Sequence, residues 1–418
     1  MARKTIAPTE VNMRIILINW TYPNGSTGYI VRDTQRVLTR LGHQVKVACG
    51  VLEQGGEDGA FLFCKPWERR LFRRLNRIGW PKFHGSSLAA KRLTRYIGQE
   101  SPDVVHLHLA HCNCVNMYYV LKYLGKHNIK TVVTNHAELY YTGSCGHAYD
   151  CMRWVTDECR GCPNKVEATS ALYFGRPHLL WKLMRKSFSH FNSNYLLFTA
   201  VSPWVKSRFL QSPIVKGFDC EVVMNGLDTE VFRPKNSKVK ICERINSESY
   251  ILHVTATFNP ASQNDVKGAY HLAKLAESMP EQKFVVVATS VVNADNLPNN
   301  IFLWGRAKDQ EELAELYSSA EVTVIVSRRE TFSMVTAESL CCGTPVVGFK
   351  AGGPESIAIR EYSSFVEYGD IESLNKALTI MTKETFDRKD ISYLAREKYS
   401  KETMSKGYFS VYEKLLTR

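Results

Sequence analysis

The feature that most constrains the fold is a regular alternation of short apolar runs with longer helical stretches. Apolar runs typical of buried strands occur at 14–19, 44–48, 104–108, 131–134, 251–255, 283–288, 322–326 and 345–348. Helical periodicity is found between them, for example at 118–127, 268–278, 310–319 and 333–342. This alternation predicts parallel sheets with helices on both faces, which is the doubly wound α/β architecture.

A polar and charged stretch, residues 232–249, interrupts the alternation and is predicted to be a linker. The 418 residues are enough for two domains. We predict a first Rossmann-like domain over 1–234, a second over 235–391, and a C-terminal helix over 392–416 that packs back on the first. Ligands of open α/β sheets bind beyond the carboxyl ends of the strands, so two domains facing each other would hold a ligand in the cleft between them.

The basic excess of the chain lies entirely in its first half. Residues 1–230 contain 30 Lys and Arg against 17 Asp and Glu, whereas residues 231–418 contain 24 of each kind. An anionic partner such as a lipid surface, nucleic acid or phosphorylated substrate is one explanation, and a solvated basic face is the other. Because the sequence has neither a run of eighteen apolar residues nor a signal-peptide pattern at 1–11, we expect a cytoplasmic protein.

The sharpest motif is SRRETFSMVTAESLCCGTPVVG at 327–348, where a strand ends in a polar turn and a helix begins. Glu330 lies in the turn, and Glu338 follows in the helix after seven intervening residues. The start of a helix offers free amides to phosphate oxygens, here those of Phe332, Ser333 and Met334. The turn is therefore a candidate diphosphate site, with Glu338 placed for ribose hydroxyls and Glu330 for sugar hydroxyls. For two isolated glutamates, an ordinary surface position would be the better interpretation.

This segment resembles the E-x7-E signature of family-4 retaining glycosyltransferases, which have the GT-B fold. Other segments resemble that family in order along the chain: TAVSPWVKSRF at 199–209, VVMNGLDTEVFRP at 222–234, DQEELAELYSSA at 309–320 and AGGPE at 351–355. The resemblance implies transfer of a sugar from a nucleotide-diphosphate sugar, UDP- or GDP-linked, to a glycan or polyprenyl-diphosphate-linked acceptor. The pattern is most similar to bacterial exopolysaccharide transferases of the colanic-acid type, which implies exopolysaccharide, capsule or lipopolysaccharide biosynthesis.

The resemblance also implies roles for single residues. Glu330 would contact the donor sugar and Glu338 the ribose. His136, in the segment TNHAE, would line the donor-sugar site, so His136 and Glu330 are the candidate catalytic residues. The turn PNGSTG resembles the N-terminal loop of the family, in which Gly25 and Gly28 would let the backbone approach a phosphate closely.

The donor diphosphate needs positive charge, which the resemblance assigns to Lys267 before Gly268 at a helix start. Lysine and helix amides together would neutralise the diphosphate, so no catalytic metal is expected. The family has a partner arginine a few residues earlier, but residues 254–266 contain neither arginine nor lysine. Arg328 or Arg329, beside the first glutamate, is the substitute that this sequence offers.

Four cysteines form a second cluster with the spacing C-x5-C-x7-C-x2-C: Cys145, Cys151, Cys159 and Cys162. Four thiolates at this spacing predict a closed structural zinc site, and His147 is a spare ligand. A packed loop of reduced cysteines is the alternative. A similar cysteine-containing insert is found in family members that build bacterial exopolysaccharides.

Residues 65–95 contain ten basic side chains and one acid, Glu68. If the segment is helical, Trp67, Leu71, Leu75 and Ile78 share a face that arginines flank. A basic amphipathic helix with tryptophan is typical of binding to an anionic membrane surface, here the inner face of the cytoplasmic membrane. An ordinary amphipathic helix packed on its domain is the alternative.

Two other functions are compatible with parts of the sequence. A nucleotide-sugar epimerase could have the same fold, although the E-x7-E context argues against it. A basic chain with a four-cysteine knuckle could instead bind nucleic acid. Because the second alternative leaves the motifs of the C-terminal half unexplained, we expect no nucleic-acid partner.

Overall fold

The computed structural model describes residues 12–53, 59–108 and 114–418. The chain forms two compact units, one made of the chain up to Met224 together with Met404–Arg418, and the other of Asn225–Thr403. Each unit contains one sheet, and every strand pair within the two sheets is parallel. The predicted doubly wound α/β architecture is therefore confirmed.

The first unit has a seven-stranded sheet with the order β3-β2-β1-β4-β5-β6-β7. Its strands are β1 (Arg14–Tyr22), β2 (Gln44–Leu52), β3 (Phe61–Leu62), β4 (Val104–Leu107), β5 (Thr131–Asn135), β6 (Leu196–Ala200) and β7 (Cys220–Val222). Its helices are α1 (Ser26–Arg40), α2 (Pro66–Ile78), α3 (Ser87–Glu100), α4 (Met117–Lys126), α5 (Leu139–Thr142), α6 (Arg153–Thr156), α7 (Lys165–Thr169), α8 (Pro177–Phe188) and α9 (Pro203–Phe209).

The second unit has a six-stranded sheet with the order β10-β9-β8-β11-β12-β13. Its strands are β8 (Ile251–Phe258), β9 (Phe284–Val291), β10 (Ile301–Gly305), β11 (Val322–Ile325), β12 (Val346–Phe349) and β13 (Ser363–Val366). Its helices are α10 (Lys238–Ile245), α11 (Ala269–Ser278), α12 (Gln310–Ser319), α13 (Met334–Cys341), α14 (Gly353–Ile357), α15 (Ile371–Lys383) and α16 (Arg388–Tyr399).

The last helix, α17 (Lys401–Leu416), belongs for most of its length to the first unit. Its side chains Tyr408, Tyr412 and Leu415 are buried in one core cluster with apolar residues of β1, β2 and α1. The predicted single helix over 392–416 is wrong, because the chain is extended at Ser400 and separates α16 from α17.

The division between the units also differs from the predicted boundary after residue 234. Leu227 donates its amide to the Tyr399 carbonyl (2.9 Å) and accepts from the Lys401 amide (3.1 Å), which ties this part of the chain into the second unit. The predicted linker over 232–249 contains helix α10, whose apolar face buries Ile241 and Ile245. No helix in the described part of the chain is both long enough and apolar enough to span a membrane.

Candidate functional site

In the second unit, the turn after β11 brings two of the predicted site residues into contact. Lys267 Nζ donates a hydrogen bond to Glu330 Oε1 over 2.6 Å, although 63 positions separate the two residues. The contact depends on Gly268, which has a φ of 76° and would place a Cβ only 1.9 Å from the Val326 carbonyl oxygen. Any side chain at this position would push the Lys267 loop away from the turn that contains Glu330.

The AGGPE loop holds the backbone of Glu330 from the other side. The Glu330 amide donates to the Ala351 carbonyl (3.0 Å), and the Gly353 amide donates to the Glu330 carbonyl (2.8 Å). The Glu355 carboxylate fixes the loop by accepting from the amides of Ala351 (3.0 Å) and Gly352 (2.7 Å). Glu355 was not among the predicted site residues, and its effect on Glu330 is exerted through the loop.

Helix α13 begins next to this ion pair. Ser333 caps the helix in a left-handed conformation, with a φ of 79°, and its hydroxyl accepts from the Thr336 amide (3.3 Å). Within the described residues, the amides of Phe332, Ser333 and Met334 donate no hydrogen bond to the protein. Free amides at a helix start carry partial positive charge, so this turn has the electrostatics of an anion site.

Glu338 lies further along α13 and is largely shielded from solvent. The Tyr317 hydroxyl donates to its Oε2 over 2.9 Å. Burial raises the pKa of Glu338 from 4.5 to about 7, against the opposing effect of the Tyr317 hydrogen bond. Near neutral pH the carboxyl group is therefore divided between its protonated and charged forms.

Arg328 and Arg329, proposed as substitutes for the missing arginine, lie in the same turn as Glu330. Both side chains are partly exposed, and the Arg328 amide donates to the Val266 carbonyl over 2.8 Å. That bond joins the turn to the loop that contains Lys267. Whether either arginine binds a diphosphate stays a prediction.

In the first unit, His136 follows β5 and pairs with a second histidine that follows β4. A hydrogen bond of 3.0 Å joins His136 Nε2 to His108 Nδ1, and the two rings are stacked with centroids 5.3 Å apart. Burial lowers the pKa of His136 to about 3 and that of His108 well below its usual range. Both imidazoles are therefore neutral near neutral pH.

The histidine pair continues into the core of the first unit through His106 of β4. The His106 ring lies 3.9 Å from that of His108. Its Nδ1 is hydrogen-bonded to the Tyr412 hydroxyl and its Nε2 to the Thr134 hydroxyl, both over 2.7 Å. This arrangement was not predicted, although His106 and His108 are two positions apart and alternate side chains of an extended chain point to the same face of a sheet.

The PNGSTG turn joins β1 to α1, as the sequence predicts. Gly25 has a φ of 81°, and a Cβ on Gly28 would lie 3.0 Å from the Pro23 carbonyl group. The side-chain amide of Asn19 fixes the turn by donating to the Thr21 carbonyl over 2.8 Å. Among the described residues, the start of α1 has no side-chain cap, because its cap position is Gly25.

The four clustered cysteines are free thiols. Burial raises the pKa of the Cys159 thiol to about 12, and the neighbouring thiols Cys162 and Cys151 add to that effect. Burial likewise raises the pKa of Cys145. In the described ranges, no three His, Cys, Asp or Glu side chains are arranged as a metal-ligand set. The thiols are neighbours but not a formed tetrahedron, and structural zinc stays a prediction.

A buried ion pair anchors the insert that contains these cysteines. Glu138, two residues after His136, pairs with Arg208 of α9 and accepts from the Ala148 amide (2.6 Å). The Arg208 guanidinium stacks over Trp154, 5.1 Å from the ring centroid. Removing one partner of a buried pair leaves an uncompensated charge, so Glu138 is a structural residue of the insert.

Comparisons with known proteins match both units of the chain to glycosyltransferase families. The model described as "Glycosyltransferase Family 4" matches residues 27–231, and "Glycosyl transferases group 1" matches residues 264–398. N-acetyl-alpha-D-glucosaminyl L-malate synthase from Bacillus anthracis is 22% identical over 407 residues, which cover 94% of each chain. MMP alpha-(1->4)-mannosyltransferase from Mycolicibacterium hassiacum is 27% identical over 213 residues, 47% of this chain and 49% of the other.

Solved structures share the fold over almost the whole chain. Sucrose-phosphate synthase from Thermosynechococcus elongatus superimposes with a TM-score of 0.65 at 15% identity, covering 97% of this chain and 100% of the other. Anabaena HepE in complex with UDP-glucose superimposes with a TM-score of 0.63 at 13% identity, covering 96% and 100%.

Two parallel Rossmann-like sheets and these structural similarities define a protein of the GT-B fold, and the matched families define it as a glycosyltransferase. With models matched in both units, the chain belongs to glycosyltransferase family 4. Family membership decides against the two alternatives, an epimerase and a nucleic-acid-binding protein.

Proposed function

We propose that this glycosyltransferase moves a hexosyl group from a UDP- or GDP-sugar to a glycan or polyprenyl-diphosphate-linked acceptor, with retention at the anomeric carbon. The pathway it serves is the synthesis of exopolysaccharide, capsule or lipopolysaccharide. The observation that carries the proposal is the Lys267–Glu330 pair beside three free amides at the start of α13. Cation, carboxylate and amides lie together, as recognition of a sugar diphosphate requires.

Binding of the donor exchanges the hydrogen-bond partners of Lys267 and Glu330. A diphosphate accepts hydrogen bonds from the amides of Phe332, Ser333 and Met334 and attracts the Lys267 ammonium group. Lys267 then leaves Glu330, whose carboxylate becomes free to accept hydrogen bonds from the donor sugar. Glu338 accepts from the ribose hydroxyls in its charged form.

The chemical step needs no metal ion under this proposal. The acceptor hydroxyl oxygen attacks the anomeric carbon on the face from which the nucleoside diphosphate departs. The carbon–oxygen bond to the diphosphate breaks, and the hydroxyl proton passes to a phosphate oxygen. Lys267 and the helix amides stabilise the negative charge that develops on the leaving group.

The first unit supplies the acceptor side and His136. A neutral imidazole can line a donor-sugar site by hydrogen bonding without adding a charge, and burial keeps His136 neutral. His108 fixes the ring of His136 through the hydrogen bond between them. We place the enzyme in the cytoplasm, at the inner face of the cytoplasmic membrane, because the basic excess lies in this half of the chain.

Donor binding tests the proposal. The thermal unfolding temperature of the full chain is measured with UDP-, GDP- and ADP-sugars, and donor hydrolysis is measured in parallel. We expect stabilisation by one nucleotide class, and loss of that stabilisation in Lys267→Gln. The matched control is Lys274→Gln on α11, because Lys274 is exposed and its ion pair among the described residues is with Glu277 of its own helix. No stabilisation by any sugar nucleotide, or equal loss in both variants, would contradict the proposed donor site.

A further inference from the structure

Helix α2 presents an apolar stripe to solvent. Trp67, Leu71 and Ile78 recur at helical spacing, and the exposed fractions of Trp67 and Ile78 are 52% and 54%. The opposite face is fixed to the first unit, because Glu68 and Asn76 are buried and the Asn76 amide donates to the Thr169 carbonyl over 3.1 Å. The stripe is therefore exposed on an anchored helix.

A distant segment extends the stripe at the C-terminal end of α2. The Leu172 amide donates to the Arg77 carbonyl (2.8 Å), and the Phe174 amide donates to the Ile78 carbonyl (3.2 Å). The side chains of this segment are among the most exposed apolar ones in the described chain: Leu172 60%, Tyr173 75% and Phe174 69%. The exposed apolar side chains of this segment and of the stripe are together called the docking face, since the backbone hydrogen bonds hold the segment against the end of α2.

Four exposed arginines of α2 border the docking face: Arg70, Arg73, Arg74 and Arg77. None of them forms an ion pair with an acidic side chain in the part of the chain that the structure describes. The one acid of the helix, Glu68, points inward and is bound by Arg92 and Ser86, so it does not neutralise them. Within the described residues, the docking face therefore carries four arginines that no acidic side chain pairs with.

We propose that the docking face binds an anionic lipid bilayer. Large exposed apolar patches mark interaction sites, and aromatic side chains with flanking arginines suit the boundary between head groups and acyl chains. The four exposed arginines are complementary to anionic head groups. The inference rests on the proposed function in one respect, since a lipid-linked acceptor would require the enzyme to work at a membrane.

Vesicle sedimentation with the full-length protein tests the inference. Vesicles of phosphatidylcholine alone are compared with vesicles that contain phosphatidylglycerol in equal amount. We expect binding to the mixed vesicles only, and release at high salt because exposed charges are screened. The variant with Arg70, Arg73, Arg74 and Arg77 changed to glutamine should bind on the order of several hundredfold more weakly, since each arginine contributes roughly fivefold.

A second variant tests the apolar part of the docking face. Trp67→Ser, Tyr173→Ser and Phe174→Ser together remove aromatic area and leave every charge in place. We expect this variant to lose binding to the mixed vesicles even at low salt. If this variant still binds the mixed vesicles, binding is purely electrostatic and the proposal is overturned.

The matched control removes four lysines from the second unit by glutamine substitution: Lys238, Lys240, Lys383 and Lys389. These side chains are exposed, and the variant has the same net charge as the arginine variant. Unchanged vesicle binding in the control is expected, and equal loss would show that overall charge alone is responsible. Equal binding to both vesicle types, or to neither, would also overturn the docking face, as would capture of an acidic protein or RNA without vesicle binding.

Nucleotide-sugar binding without vesicles separates this inference from the proposed function. All three variants should be stabilised by the donor as the unmodified protein is, because none of the substituted residues belongs to the donor site. If the unmodified protein binds vesicles but no sugar nucleotide, the proposed function fails and the docking face stands. If it binds the donor but no vesicle, the docking face alone fails.

Discussion

The Glu338→Gln substitution should separate stability from nucleotide binding. In the fold, burial raises the pKa of Glu338 from 4.5 to about 7. The folded protein therefore holds this proton more tightly than the unfolded chain, and the wild-type free energy of unfolding falls as pH rises between those two values. With about 1.4 kcal/mol for each pH unit, the charged carboxylate costs on the order of 3 kcal/mol above pH 7.

Glutamine removes this cost and can still accept the hydrogen bond from the Tyr317 hydroxyl. The variant should be more stable than the wild type by about 3 kcal/mol near pH 8, with the difference vanishing near pH 4. Nucleotide binding should weaken about tenfold or more, because an uncharged amide replaces a charge-assisted acceptor for the ribose hydroxyls.

Urea unfolding across this pH range measures the first effect, and calorimetric titration with the nucleotide measures the second. A variant less stable than the wild type near pH 8, or a stability difference that does not depend on pH, would refute the reasoning on burial. Unchanged nucleotide affinity would refute the assignment of Glu338 to the ribose.

Three further predictions concern other parts of the molecule. Gly268→Ala should destabilise the protein by more than about 2 kcal/mol in thermal unfolding, since its Cβ would lie 1.9 Å from a carbonyl oxygen; a neutral effect would contradict the tight approach. His108→Ala should lower kcat with little change in KM for the donor, whereas His108→Asn should retain part of the wild-type kcat. An equal loss of kcat in both variants would make His108 purely structural. Protein purified without chelator should contain about one zinc per chain, which Cys159→Ser should release; metal-free protein would favour packed thiols.

The sequence predicted most strands because buried parallel strands are short runs of apolar residues, as in β1 and β12. It did not predict β13, whose four residues are all only partly buried, or β7, which has three residues and includes Glu221. The strand β6 reads LLFTA and is fully buried, so its pattern was available in the sequence and was overlooked. Helix α10 was predicted to be part of a linker because charged residues dominate its exposed face.

The site could be predicted only as far as its motifs are local. Glu330, Glu338 and the amides between them lie in one short segment, so their common location followed from the sequence. The contact between Lys267 and Glu330 did not, because it spans 63 positions and depends on how closely Gly268 approaches the end of β11. The bond from His106 to Tyr412 spans 306 positions, beyond any local pattern.

Helix α2 is another case in which a local pattern predicted only part of the structure. Periodicity placed Trp67, Leu71, Leu75 and Ile78 on one face, but it does not indicate which side of a helix the domain covers. In the structure Leu75 is partly covered, while the other three are exposed. Segment 172–174 is held against the end of α2 by backbone hydrogen bonds. The sequence of α2 contains no pattern from which these bonds could be predicted.

The most direct test of the account is a crystal structure of the enzyme with its sugar nucleotide bound. We expect the diphosphate on the amides of Phe332, Ser333 and Met334, with Lys267 moved from Glu330 to a phosphate oxygen and Glu338 on the ribose. A diphosphate bound elsewhere, or one bound while the Lys267–Glu330 pair stays intact, would contradict it.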